Sequence, residues 1–162
     1  VDQLDRNLKH FADLVEKQTG IRLHEMAGAG AAGGIGGAFQ AFFPSKMRRG
    51  IDMVIEYTGL KEKLIGAEFV FTGEGQIDYQ TASGKTPMGV AQAAKREGIP
   101  VFALAGSIGQ GIDALYEHGI TSVHSIINGP MQLDMAMKLG AELLEQTAEQ
   151  VTRTYVNCKI ES

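Results

Sequence analysis

The chain has 162 residues, 44% of them hydrophobic and 21% charged; a domain of about this size buries roughly 68–70% of its unfolded surface and needs no disulfide or metal staple. No apolar run approaches the ~20 residues of a membrane-spanning helix, and 15 basic against 19 acidic residues, a net charge of −4, give no basic field for nucleic acid. The single cysteine, Cys158, forms no internal disulfide, which fits a reducing cytoplasm.

In chain order, Asp2 as N-cap precedes a 3.6-period stripe of Leu4, Leu8, Phe11 and Val15, and Gly20 stands at the C′ position, so an amphipathic helix is expected. "MAGAGAAGGIGGAFQAFFP" leads through small residues into a second helix that Pro44 ends. "GIDMVIEYTGL" and "KEKLIG" read as two short helices. From Glu68 the pattern changes. "EFVFTG" is a short strand, and "TPMGVAQAAKREG" a helix with Thr86 as N-cap, Pro87 at N1 and Gly98 beyond its last turn. "PVFALAG" is a strand, "GIDALYEHG" a helix and "TSVHSIING" a strand. "QLDMAMKLGAELLEQTAEQVTR" is a long helix with Leu133, Ala136, Met137, Gly140, Leu143, Leu144, Thr147 and Val151 on one face. Strand and helix in alternation predict an α/β fold with a parallel sheet built from βαβ crossovers. A composition shift near Gly66 puts a boundary between residues 1–66 and 67–162.

In such a sheet, ligands sit beyond the carboxyl ends of the strands. The 21 glycines cluster at 28–37, 73–84 and 106–111. Three loops are expected at the strand ends: Thr72-Gly73-Glu74-Gly75, Ala105-Gly106-Ser107 and Asn128-Gly129-Pro130. Tight turns use glycine for their own sake, but three such loops together point to a site with backbone N–H groups free to face a ligand. Gly84-Lys85-Thr86 resembles the tail of a P-loop, yet Tyr79 occupies the place of the first glycine, so P-loop mechanics fail. What survives is Lys85 at a helix N-terminus, where an anion is favoured. Glu74 and Asp78 can hold Mg²⁺ through water or accept a hydroxyl proton, or they can simply cap turns. Thr81 and Ser83 add hydroxyls to the same segment.

"GAGAAG" matches GxGxxG through Gly28, Gly30 and Gly33, but no second strand with a terminal acid follows, so a dinucleotide-binding oxidoreductase is set aside as the first reading. Close backbone approach to a ligand and helix packing through small residues both remain open for these glycines. His10, His24, His118 and His124 show no zinc-ligand spacing, and Ser107 lacks the GxSxG context of a nucleophile elbow.

The segments "AGAGAAGGIGGAFQAF", "GIDMVIEYTGL" and "FVFTGEGQIDYQTASGKTPMGVAQAAKREGIPVFALAG" resemble, in order and spacing, the C-terminal part of the bacterial glycerate kinases of the first type. That resemblance implies ATP- and Mg²⁺-dependent phosphorylation of D-glycerate, with 2-phosphoglycerate as product. It implies a Rossmann-like domain interrupted by a second α/β domain, with the active site in the cleft between them. Residues 1–66 would then end the inserted domain, and 67–162 would be the returning half of the Rossmann-like one. Family members run to more than double this length and begin with a strand and an Asp-Ser-Phe-Lys-Gly segment absent here, so this chain is expected to need that N-terminal part as partner, and to be inactive alone. The site residues the resemblance implies are Gly28, Gly30, Gly33 and Gly34 in the glycine stretch, with Glu74, Asp78, Thr81 and Lys85 in the loop, beside which Gly73, Gly75, Ser83 and Gly84 of the same loop are further binding candidates. Among these Asp78, Lys85 and Glu74 are the candidates for chemistry, and Glu74 and Asp78 for Mg²⁺.

Overall fold

The computed structural model describes residues 1–160; the side chains of Ser83 and Ile160 lie outside that description. The chain forms two compact units, Val1–Arg49 and Gly50–Ser162.

In the first unit, α1 (Asp2–Thr19) ends at Gly20, whose φ of 78° lets its N–H reach the Glu16 carbonyl. Val1 is the N-cap and makes no side-chain capping bond; Asp2 lies in the first turn, where its charge meets the helix dipole. Ala12, Val15 and Leu23 form a small core with Phe11, Ile21, Ala29 and Ala41 around it. Leu23–Glu25 is a 3₁₀ turn, so no strand leads into the glycine stretch, as a dinucleotide fingerprint requires. α2 (Ile35–Phe42) follows and stops before Pro44. A Cβ on Gly36 would lie 2.3 Å from the Gly28 carbonyl oxygen. Only glycine lets α2 seat against the turn that precedes it.

The second unit opens with α3 (Gly50–Thr58) and α4 (Leu60–Leu64). Then come β1 (Val70–Ile77), α5 (Thr86–Arg96), β2 (Val101–Ile108), α6 (Asp113–Glu117) and β3 (Ser122–Ser125). α7 (Leu133–Lys138) and α8 (Gly140–Ile160) close the chain, with a break at Leu139 where one long helix was expected. All pairings are parallel, in the order β1-β2-β3. Successive residues of a strand face opposite sides, and β2 shows it plainly. Val101, Ala103 and Ala105 pack into a core with Ile77, Met88, Ala91, Leu115 and Ile120, while Phe102 and Leu104 face Val151, with Phe69, Phe71, Ile126 and Tyr155 beside them. Covered on both sides, β2 is a continuous apolar run, as a central parallel strand should be.

Two differences from the sequence reading bear on the site. The first compact unit ends at Arg49, so residues 50–66, which composition groups with the first part, pack with the second unit: Ile55 and Leu64 share the core of Met88 and Ala91. A Cβ on Gly89 would meet Ile51 Cγ1 at 2.0 Å, so α5 carries glycine where α3 crosses it. The second difference is that the Thr72–Gly75 and Ala105–Ser107 stretches are strand, not loop. Pairing continues to Gln76 opposite Ser107 and Ile77 opposite Ile108. A Cβ on Gly73 would lie 2.4 Å from the Leu104 carbonyl oxygen, so here glycine serves strand-to-strand approach instead of a turn.

Candidate functional site

Because β1 runs on to Ile77, Glu74 is fixed on a strand, and the loop begins only at Asp78. Glu74 lies on the same side of the sheet as Ala103 and Ala105, the side α5 covers. Its Oε2 is buried and has no hydrogen-bond partner. The nearest cation is Lys85, whose Nζ stands 4.0 Å away, in ion-pair range but beyond a hydrogen bond. A buried acceptor without a donor costs about 1–3 kcal/mol, a cost that a cation or a ligand hydroxyl would remove. Lys85 is the N-cap of α5, and its carbonyl accepts the N–H groups of Met88 and Gly89. Its side chain is 44% exposed, against 22% for Glu74, so the pair reaches solvent at the positive end of an eleven-residue helix.

Asp78 is held differently. Its Oδ1 accepts the Gln80 N–H at 2.8 Å and its Oδ2 accepts Gln76 Nε2 at 3.2 Å. Thr81 is 1% exposed, and its Oγ1 accepts the Asp78 N–H at 3.2 Å while its own N–H returns to the Asp78 carbonyl at 3.0 Å. One acceptor site of the Thr81 hydroxyl is thus taken by the turn. A 3₁₀ turn, Thr81–Ser83, and Gly84 at φ 100° then deliver the chain to Lys85. The Ser83 side chain lies outside the described residues.

Gly73, Glu74, Gly75, Asp78, Thr81, Gly84 and Lys85 therefore belong to one strand end and the loop that leaves it. Gly28, Gly30, Gly33 and Gly34 lie in the first unit, where Gly28, Gly33 and Gly34 have positive φ. There Gly34 abuts Leu8, and Gly30 borders a hollow of about 370 Å³ with Asp5, Lys9 and His24. Among the described residues no three His, Cys, Asp or Glu side chains gather as a protein-only metal cage would need. The sequence reading passed over Gln76, and it put the loop after β2 at Ala105-Gly106-Ser107, whereas the residues that touch the Asp78 turn are Gly109 and Gln110; the signal for Gln76 was its even spacing between Glu74 and Asp78 along an extended chain.

A cavity of about 850 Å³ is bordered by Gly73, Glu74 and Gly75 of β1 and opens on the sheet's other face between Phe71, Leu104 and Ile126 and the α7–α8 stripe of Leu133, Met137 and Leu144. Leu133 and Met137 are each 77% exposed, which is unusual for such side chains beside a core. No helix among the described residues is long and apolar enough to cross a membrane.

The chain is 47% identical over 151 residues to a glycerate kinase of Halalkalibacterium halodurans, which covers 93% of this chain and 40% of that protein. It is 44% identical over 151 residues to a glycerate kinase of Bacillus subtilis, with the same coverage of 93% and 40%. A solved crystal structure from Salmonella typhimurium LT2, described as a glycerate kinase 2, superposes with a TM-score of 0.73 at 37% identity, over 98% of this chain and 40% of that one. The chain thus spans about 40% of the length of the relatives it matches. The profile of the Glycerate kinase family matches residues 1–156, and the chain belongs to that family.

Proposed function

We propose that the enzyme carrying this segment transfers the γ-phosphoryl group of ATP to D-glycerate, forming 2-phosphoglycerate, and that this chain supplies one wall of the site. The observation that carries the reading is the buried, donorless Glu74 Oε2 beside the Lys85 ammonium, at the carboxyl end of a parallel strand. Phosphoryl transfer asks a protein mainly for positioning and charge neutralisation. Lys85 and the α5 N-terminus, both electropositive, would steady a phosphate or the glycerate carboxylate. Mg²⁺ keeps several waters and takes one or two carboxylates besides the substrate phosphates, a donor set that Glu74 fits; when bound it would offset the charge on the phosphates. Asp78, each of whose oxygens keeps a lone pair free beyond its protein donor, would orient the attacking hydroxyl and take up its proton. The resemblance to the kinase family adds Gly28, Gly30, Gly33 and Gly34 as substrate- or cofactor-binding residues, and a cytoplasmic setting fits the lone cysteine, Cys158. Steady-state turnover of D-glycerate and ATP by the complete enzyme tests the assignment. Lys85→Ala and Asp78→Asn should each lose about a hundredfold or more in kcat at unchanged melting temperature, and near-normal turnover in both would sink it.

A second reading concerns this chain by itself: a folded piece without activity until the rest of the enzyme joins it. The exposed Leu133 and Met137 around the open cavity favour it, since an uncovered apolar patch marks a surface meant to be covered. ATP consumption with D-glycerate by residues 1–162 alone should be at background, and measurable turnover would refute it.

A further inference from the structure

The Asp78 turn is braced from a second loop. After β2, the Gly109 N–H donates to the Ile77 carbonyl at 2.8 Å, and the Tyr79 N–H donates to the Gln110 carbonyl at 3.1 Å. These bonds clip the segment after β2 to both sides of Asp78. The clip is tight: a Cβ on Gly109 would lie 2.8 Å from the Asp78 Cβ and 3.5 Å from Gln76 Nε2. From the strand side, Gln76 gives its amide to Asp78 Oδ2.

We propose that Gln76 and Gly109 are positioning residues of the phosphoryl-transfer site, which together hold the Asp78 carboxylate in a single orientation; the inference rests on the reading of Asp78 given above. The turn itself does not require Gln76. An aspartate turn is complete with the Gln80 N–H on Oδ1 and the Thr81 pair of bonds. Gln76 is exposed, buries no apolar area worth holding, and contributes a bond of the kind that adds little to stability at a surface. Its one particular effect is on the second carboxylate oxygen. With a donor on each oxygen rotation of the carboxylate is disfavoured, and the lone pair left on each keeps a preferred direction. A group that accepts a proton from an attacking hydroxyl gains most from being fixed in advance. Gly109 completes the arrangement, because any side chain there would push the Asp78 Cβ off its place.

The test is made in the complete enzyme, with Asp78→Asn as reference. Gln76→Met keeps the length and removes the donor; it is expected to lower kcat by about tenfold to a hundredfold with the KM for D-glycerate and the melting temperature unchanged. Gln76→Arg, which keeps an N–H donor, is expected to recover most of that loss, and Gly109→Ala to reproduce the fall in kcat at constant KM. A purely structural role of Gln76 would instead lower the melting temperature of Gln76→Met and leave the donor-bearing variant no better than the methionine. If Gln76→Met turns over at the wild-type rate while Asp78→Asn is impaired, or if Gln76→Arg restores nothing, the positioning role is wrong and the reading of Asp78 stands. If Asp78→Asn is itself unimpaired, both fall.

Discussion

Replacing Glu74 with methionine in the complete enzyme should make the protein more stable and less active at once. The reasoning starts from two opposing terms. In the wild-type chain the buried Oε2 has no donor, a cost of about 1–3 kcal/mol. Against it stands the attraction of Lys85 at 4.0 Å, but both side chains reach solvent, and such pairs contribute about 0–1 kcal/mol after screening and side-chain ordering. Methionine removes both terms and keeps the length of the side chain on the strand. The balance is a gain of roughly 1–2 kcal/mol, equivalent to a rise in melting temperature of about 2–8 °C for domains of this class. Differential scanning calorimetry reads the stability, and a coupled assay with D-glycerate reads the turnover, which should fall by about a hundredfold or more. Mg²⁺ with ATP provides a third reading. A ligand that binds only the folded state stabilises by about 2.7 kcal/mol at a hundred times its Kd, and this increment should be large in wild-type and small in Glu74→Met. A variant that melts lower than wild-type and still turns over would refute the argument, for then the carboxylate serves the fold and no ligand.

Three further outcomes test the packing that presents this site. Gly73→Ala, whose Cβ would lie 2.4 Å from the Leu104 carbonyl oxygen, should cost about 1–3 kcal/mol in chemical denaturation, whereas Gly75→Ala, with nothing within 4 Å, should stay within about 0.5 kcal/mol. Gly89→Ala should destabilise despite the better helix propensity of alanine, because Ile51 Cγ1 stands 2.0 Å from the new Cβ; adding Ile51→Ala should recover part of the loss, a coupling of about 0.5–3 kcal/mol in a double-mutant cycle. Hydrogen bonding to Tyr155, and then to Glu68, holds the Lys159 ammonium above its ordinary value of 10.5. The folded state binds this proton more tightly than the unfolded chain, so its contribution is fully present below pH 10.5 and fades as pH rises through the higher folded value. The difference in melting temperature between wild-type and Lys159→Met should shrink accordingly in alkali.

How much of this was legible beforehand depended on whether the signal was local. The "VFALA" run declared a central strand because both its faces are covered, and Pro87 at the first turn declared the start of α5. Gly73 and Gly75 misled, since glycine ordinarily breaks a strand; that β1 continues past them is decided by pairing with β2, contacts some thirty residues away in the chain. The boundary near Gly66 followed composition, while the compact units follow packing of α3 on α5 through Gly89. At the site, the residue types were readable and their division of labour was not. Glu74 and Asp78 looked alike as loop acids, yet one is a strand residue without a donor and the other has a donor on each oxygen. Pairing with β2 makes the first a strand residue, and Gln76 and Gln80 supply the donors of the second.

The aromatic cluster beneath α8 also gives residues 1–162, taken by themselves, a built-in optical reporter. The chain has no tryptophan and 4 tyrosines. Tyr57, Tyr79 and Tyr116 are exposed at 94%, 63% and 43%, whereas Tyr155 sits edge-on to Phe69 and Phe102 and hydrogen-bonds the Glu68 carbonyl. The tyrosine band of the near-ultraviolet circular dichroism of this chain, which needs an aromatic ring in a fixed asymmetric setting, will come chiefly from Tyr155. Its signal follows the docking of the last helix onto the sheet, separately from the helix content seen in the far ultraviolet.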